Sequence, residues 1–217
     1  ADIVLFVDGL ILRQEKSGGW RYQKESYDWG QYEDNIVRFL LICSVIGEIM
    51  DLSNGRGGRW VECDCAHDIE LVERLNEEAR QLRKKVKLHL VVDRGFKVYV
   101  EAIAACEWEW IDFSYDMPYH LNEPQKRGRK TEEEKARIKA AHRAQHPPDE
   151  VDYNRRVAAM RYINEVSVGR VKRCRLFSRV LPTKMLDKID DFLSIAAAVA
   201  NYQLQLRQES KEGKDKA

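Results

Sequence analysis

The chain of 217 residues has few cysteines, no long apolar run and almost no net charge. Its five cysteines are odd in number and scattered, which argues against a disulfide framework and favours a reducing compartment. No apolar run approaches the ~20 residues of a membrane-spanning helix, so we expect no membrane association. A formal net charge of +1 indicates no class of partner, and only the local distribution of charge can do so.

One short group of metal-ligand residues stands out among the few cysteines. Cys63, Cys65 and His67 are close enough in sequence to form half of a zinc site. A structural zinc site usually needs a second ligand pair at a suitable distance, and the sequence offers none. The role of these three residues therefore stays open, with a zinc site the less favoured reading.

Strand-like and helix-like segments together predict one α/β domain, for which 217 residues are sufficient. Asp8-Gly9 is a turn signal, so residues 3–7 and 10–14 are predicted to form a hairpin. Apolar residues at three- and four-residue steps predict a helix over residues 68–86, with Asp68 as its N-cap. The other predicted strands cover residues 36–46, 49–52 (after a turn at Gly47), 87–92 and 110–113, and a further helix covers 97–106.

The composition changes between residues 118 and 152, which we interpret as an exposed insertion. Thr131 followed by Glu134 fits a capping box for a helix over residues 131–146. Two amphipathic helices are predicted after it, at 153–173 and 186–206. The polar residues 208–217 are expected to form a disordered tail, which leaves residues 1–207 as the domain.

Two aspartates, Asp8 and Asp93, directly follow apolar strands. In an open α/β sheet functional groups gather where strands end, and carboxylates from neighbouring strands can hold Mg²⁺. Glu165 is the candidate third acid because it is the only acidic residue between Tyr153 and Met185. Each acid also has a non-catalytic interpretation. Asp8 and Asp93 could be turn residues, and Glu165 could form a salt bridge within its helix.

Basic residues dominate the surroundings of Glu165, with eight between Arg155 and Arg179. A basic helix face with one carboxylate suits a metal site that must also hold a DNA backbone. A second basic run lies in the insertion, where it could equally be a solvated loop or a nuclear-import patch. The predicted DNA contacts are Arg161, Arg170, Lys172, Arg173, Lys126, Arg127, Arg129 and Lys130.

The five tryptophans are numerous for this length. Most are expected in the core, although one near the site could stack on an unpaired base. They are Trp20, Trp29, Trp60, Trp108 and Trp110.

The block around Glu165 resembles the block around the catalytic glutamate of PIF/Harbinger-like DDE transposases. In that family an Arg, a Glu four residues later, a Gly four residues after it and then Arg-x-Lys form the signature. This sequence has Arg161, Glu165, Gly169 and Arg170-Val-Lys172 at those places. Further similar blocks follow the family's order and extend the resemblance over residues 3–206: 8–9, 15–17, 22–27, 55–68, 93–96 and 201–203.

The resemblance implies an RNase H-like fold, a mixed sheet flanked by helices with the insertion before the last two helices. It also implies that Asp8, Asp93 and Glu165 are catalytic and bind two Mg²⁺ or Mn²⁺ ions. The expected activity is cleavage of transposon ends and joining of the 3′-OH to target DNA in the nucleus. We expect a homo-oligomer, with site recognition supplied by a separate DNA-binding protein or an N-terminal module.

Three other interpretations stay open. The first is a domesticated, weakly active or inactive relative that serves as a DNA- or protein-binding module. The second is an unrelated RNase H-like nuclease, which would hydrolyse DNA without joining strands. The third is a structural α/β domain whose acids are surface turns.

Overall fold

The computed structural model of the chain describes residues 2–119, 133 and 147–215. The strands are β1 (Asp2–Arg13), β2 (Ile36–Ser44), β3 (Ile49–Leu52), β4 (Arg56–Gly57), β5 (Val86–Val92) and β6 (Ile111–Asp116). The helices are α1 (Trp20–Ser26), α2 (Glu62–Ile69), α3 (Leu71–Gln81), α4 (Lys97–Ala104), α5 (Pro148–Lys172) and α6 (Ile189–Asp215), with short 3₁₀ helices at Arg94–Phe96 and Thr183–Lys188.

The six strands form one mixed sheet in the order β3-β2-β1-β5-β6, and β4 also pairs with β2. β1 and β3 run antiparallel to β2, whereas β5 is parallel to both β1 and β6. The parallel strands are joined by helical crossovers, as parallel pairs require. This six-stranded mixed sheet flanked by helices confirms the predicted α/β class and is compatible with an RNase H-like fold.

Helices cover both faces of the sheet, and alternate side chains of β1 enter two different cores. Leu5 and Val7 pack on the side of α2, α3 and α4. Phe6, Leu10 and Leu12 pack on the side of α5 and α6. A polar residue at an even-numbered position of β1 therefore faces α5 and α6.

The hairpin predicted at Asp8-Gly9 is wrong. β1 continues through these residues to Arg13 and pairs with β2 from Leu5 to Arg13 without interruption. The physical reason is that Leu10 and Leu12 gain burial in the core by extending the strand, which outweighs the local turn preference of Asp-Gly. Asp8 thus lies within a strand and not at its end.

The helix predicted over residues 68–86 is also wrong in part. Glu70 has a φ of 50°, in the left-handed region, and separates α2 from α3. Asp68 lies inside α2 and is not the N-cap of the following helix. The strand pair turning at Gly47, whose φ is 81°, is confirmed.

The two last helices are confirmed, with different bounds. α5 begins at Pro148, where proline suits the first turn of a helix. α6 continues to Asp215, so helix replaces most of the tail predicted from residue 208 onward. The predicted helix at 131–146 lies outside the described residues, apart from Glu133.

The tryptophans are less buried than expected. Trp108 and Trp110 pack against the core on the α2–α4 side. Trp20, Trp29 and Trp60 are exposed, the first two by more than 70%. No helix in the described residues is both long and apolar enough to cross a membrane.

Candidate active site

Asp8 and Asp93 occupy neighbouring positions on two parallel strands. Val7 of β1 pairs with Val92, the last residue of β5, so each aspartate is the next residue along its chain. Adjacent strands lie about 4.8 Å apart, which places the two residues side by side. The alternation of β1 directs Asp8 toward α5, and Arg161 of α5 contacts Asp93.

Each aspartate accepts a hydrogen bond from the backbone that follows it. Asp8 Oδ1 accepts from the Gly9 N–H at 2.8 Å, and Asp93 Oδ1 accepts from the Arg94 N–H at 2.7 Å. In both residues this backbone hydrogen bond leaves the second carboxylate oxygen, Oδ2, unused. In Asp93 that oxygen, Oδ2, lies 3.1 Å from Nη2 of Arg161.

Helix α5 brings Glu165 and Arg161 to the two aspartates. They lie four residues apart, which is about one helical turn and a rise of roughly 6 Å. Glu165 is exposed to solvent, whereas the Arg161 side chain is only 22% exposed. Glu165 thus stands on the helix that faces Asp8, with its carboxylate accessible.

The electrostatics of Asp8 show that the three acids share one region. The pKa of Asp8 is raised, first because burial disfavours the charged carboxylate, and also because Asp93 and Glu165 lie near enough to repel it. The hydrogen bond from Gly9 and the positive charge of Arg161 act in the opposite direction. The acids therefore carry more negative charge than Arg161 balances.

Two further predicted basic residues lie near the C-terminal end of α5. Burial lowers the pKa of Lys172, while the charge of Asp8 raises it, which places this ammonium near the acids. Arg173 follows the helix as its C-cap and is exposed. Both are positioned to meet an anionic ligand. The predicted contacts Lys126, Arg127, Arg129 and Lys130 lie outside the described residues.

Arg170 does not fit the predicted phosphate contact, because it is buried. Only 8% of the residue is exposed, and its Nη2 donates to the Gly47 carbonyl at 2.6 Å and to Ser167 Oγ at 2.8 Å. The Ser167 hydroxyl donates to the same carbonyl at 2.9 Å. Arg170 thus fixes the turn between β2 and β3 against α5.

Buried polar residues next to the acids were missed by sequence analysis. Asn164, beside Glu165, is fully buried, and neither atom of its amide has a hydrogen-bond partner in the described structure. Cys43 is buried near Ser167, and burial raises the pKa of its thiol to about 11. Asn164 lies seven residues after Val157 and seven before Val171, and both valines are buried. This spacing places Asn164 on the buried face of α5 and is the signal that the sequence offers.

The three acids have the chemistry of a divalent metal site, although they are not gathered as a finished one. No group of three or more His, Cys, Asp or Glu side chains among the described residues is spaced to hold a metal ion. Oxygen ligands that repel one another at Asp8 nevertheless suit a hard cation such as Mg²⁺, which would relieve the repulsion. Asp8, Asp93 and Glu165 are therefore the residues that could hold it.

The zinc reading of the cysteine group gains no support. Cys65 is fully buried in the core on the α2–α4 side. The side chains of Cys63 and His67 lie outside the described part of the chain.

Comparison with known proteins gives a family over most of the chain. A search of curated proteins and a search of solved structures each found no match. The sequence profile of a family described as DDE superfamily endonuclease matches residues 7–201, a range that includes Asp8, Asp93 and Glu165. The chain belongs to the DDE superfamily endonuclease family.

Proposed function

We propose that this endonuclease domain is the catalytic core of a cut-and-paste DNA transposase of the PIF/Harbinger type. It would cleave transposon ends and join the freed 3′-OH to target DNA. The observation that carries the proposal is the approach of Asp8, Asp93 and Glu165, from two adjacent strands and the helix that faces them. The ordered sequence blocks around these acids support the same assignment.

In this proposal the three acids hold two Mg²⁺ or Mn²⁺ ions. Such a pair, when bound, activates the attacking hydroxyl and stabilises the leaving oxygen of the phosphodiester. Asp8 and Asp93 supply carboxylate oxygens held in place by the Gly9 and Arg94 N–H groups. Glu165, which is accessible on α5, would supply the third carboxylate of the ligand set.

The basic residues of α5 would then hold the DNA strand. Arg161 contacts Asp93 in the free protein and can turn to a phosphate oxygen when cations neutralise the acids. Lys172 lies near Asp8, and Arg173 extends the same end of the helix. These contacts position the scissile phosphate without reading sequence.

Other parts of the function follow from the family resemblance and are proposed with it. Recognition of the transposon ends would come from a separate DNA-binding protein or an N-terminal module. The active form would be a homo-oligomer, since both ends of an element must be joined together. Its place of action would be the nucleus.

A nicking assay on transposon-end DNA with Mn²⁺ tests the proposal. We expect cleavage by the wild type and none by Asp93→Ala or Glu165→Gln. Asp152→Asn is the matched control, because this exposed acid lies on α5 near its N-terminal end. If Asp93→Ala cleaves as well as the control, the assignment of the acids is wrong.

A supercoiled target plasmid added to the same reaction separates transposase from simple nuclease. Strand transfer produces joined products, whereas a nuclease that only hydrolyses DNA gives none. The rival of a domesticated binding module is favoured by one observation, that the described acids do not form a finished metal group. Binding of the DNA without any metal-dependent cleavage would support that rival.

A further inference from the structure

The long connection between β1 and β2 carries an exposed aromatic cleft that the proposed chemistry does not use. The cleft is lined by Trp20, Gln23, Lys24, Tyr27 and Trp29 and encloses about 360 Å³. Trp20 is 74% exposed and Trp29 is 72% exposed. Two tryptophans so exposed around one cavity indicate a binding surface, because large aromatic groups are costly to leave in water.

A buried ion pair holds the loop that carries Trp29. Asp28 lies next to Trp29 and bonds Arg38 Nη2 at 3.1 Å, and both side chains are only 9% exposed. Asp28 Oδ2 also accepts a hydrogen bond from the Tyr32 N–H at 2.7 Å. The loop that presents Trp29 is thus fixed by buried charge.

The aromatic rings are also held by contacts with one another. The rings of Tyr27 and Trp29 meet edge to face, with centroids 4.6 Å apart. The Tyr27 hydroxyl donates to the Glu33 carbonyl at 2.9 Å. These contacts orient the rings before any ligand arrives, which lowers the entropic cost of binding.

The charge in the cleft selects the kind of ligand. Lys24 Nζ lies 5.3 Å from the centre of the Trp20 ring, and no described carboxylate forms an ion pair with it. Two acids in the same connection are already paired, Glu25 with Arg21 and Asp34 with Arg13. An ammonium at the ring excludes a cationic ligand and favours one that combines a flat apolar group with negative charge.

Strand β1 leads from Asp8 to the connection that carries the cleft, and its length suits a DNA ligand. β5 ends at Val92, opposite Val7, whereas β1 continues six residues further to Arg13 before the connection begins. At roughly 3.3 Å per residue this extension is about 20 Å long. It projects on the side where β5 ends at Asp93, and it spans about six base pairs of B-form DNA at 3.4 Å each.

We propose that the aromatic cleft binds an unpaired nucleotide of the DNA substrate. Its base stacks on the indoles of Trp20 and Trp29, and its phosphate lies beside the ammonium of Lys24. Stacking tolerates any base, since every base has a flat face, so the cleft recognises an unpaired state and not a sequence. This proposal rests on the proposed function for its ligand and adds a second contact with the same DNA.

The test measures binding in EDTA, where cleavage cannot contribute. The probes are a blunt duplex and the same duplex with a short single-stranded overhang that contains 2-aminopurine. We expect the wild type to prefer the overhang at least fivefold, about the lower end of the contribution of one stacked base. The fluorescence of 2-aminopurine should be quenched on binding, because quenching requires ring contact.

The variants separate stacking from general apolar contact. Trp20→Leu and Trp29→Leu should lose the preference and the quenching, whereas Trp20→Phe should keep most of both. The matched control is Tyr202→Ala, which removes an aromatic group from α6 that is 62% exposed. All of these side chains are exposed, so thermal unfolding should show that each variant is folded.

Several outcomes would overturn the proposal. Equal affinity for both probes, or unchanged preference in both leucine variants, would exclude the cleft as a nucleotide site. Conversion of an oligomer to a monomer by the leucine variants would show that a second copy covers it. Stacking of the overhang without any Mn²⁺-dependent nicking would support the cleft as a nucleotide site and refute the proposed function. Nicking without a preference for the overhang would support the proposed function and refute the nucleotide site.

Discussion

Replacing Asp8 with asparagine should separate the stability of the domain from its capacity to bind metal. Asp8 is half-buried within β1, and Asp93 and Glu165 repel its charge. Because the folded-state pKa of Asp8 is raised, the ionised carboxylate is less favourable in the folded than in the unfolded chain. Ionisation at neutral pH therefore costs stability, and Asp8→Asn, which has nearly the same shape, should raise the Tm in EDTA.

Metal should reverse the order of the two Tm values, so that the wild type becomes more stable than Asp8→Asn. A cation at a free concentration 100 times its Kd stabilises the folded state by about 2.7 kcal/mol. For a chain of this size each kcal/mol shifts the Tm by roughly 2–4 °C, so the wild type should gain about 5–11 °C. Asp8→Asn lacks one of the three carboxylates and should gain far less.

Thermal unfolding followed by circular dichroism, in EDTA and in Mn²⁺, measures both effects. Asp152→Asn removes the same charge from an exposed position of α5 and should behave as the wild type in both buffers. The reasoning is refuted if Asp8→Asn unfolds at a lower temperature than the wild type in EDTA. It is refuted equally if Mn²⁺ raises the Tm of Asp8→Asn as much as that of the wild type.

Three further changes test the roles assigned to charged residues. Arg170→Ala should lower the free energy of unfolding in urea by at least about 1.5 kcal/mol, because the Gly47 carbonyl loses a charged donor. Unchanged stability together with weakened DNA binding would instead show that Arg170 contacts a phosphate. Arg173→Ala should change the free energy of unfolding by less than about 0.5 kcal/mol, and it should reduce the slope of log K for DNA binding against log salt concentration by about one. An unaltered slope would exclude a phosphate contact by Arg173. Asp28→Asn should cost about 3 kcal/mol at neutral pH, since it removes the carboxylate that faces the buried guanidinium of Arg38. Burial raises the pKa of Asp28, but its hydrogen bonds and Arg38 lower it further, so the pKa is lowered overall. The stabilisation by Asp28 is therefore complete above the unfolded pKa and is lost as the pH falls through the lower folded pKa. A stability difference between wild type and Asp28→Asn that stays constant under acidification would contradict this.

The strands that carry the aspartates could be predicted because a short, mostly apolar run precedes each aspartate. The strand predicted over residues 87–92 is confirmed as β5, which begins one residue earlier and ends directly before Asp93. The turn predicted at Asp8 is wrong, because Asp-Gly is only a local signal. Nine paired residues with β2 outweigh that signal, and only the tertiary structure shows the pairing.

The basic residues of α5 show a second limit of sequence reasoning. A count of arginines indicates that DNA binding is plausible, but it does not say which guanidinium reaches solvent. Arg170 adjoins the buried Val171, and its guanidinium meets a carbonyl of the β2–β3 turn more than a hundred residues earlier. Arg173, three residues later, faces solvent. Helical rotation decides between a structural and a functional arginine, and the rotation is fixed by packing.

The aromatic cleft shows why exposure is harder to predict than burial. Tryptophans are usually placed in the core from their hydrophobicity, yet Trp29 is kept outside by the residue that precedes it. Asp28 turns inward to the guanidinium of Arg38, and its carboxylate accepts hydrogen bonds from the Gly30 and Tyr32 N–H groups. With the charge of residue 28 buried, the chain directs the indole of residue 29 to solvent. A polar side chain inside and an aromatic one outside invert the usual order, and such an inversion is expected where a surface is used for binding rather than for folding.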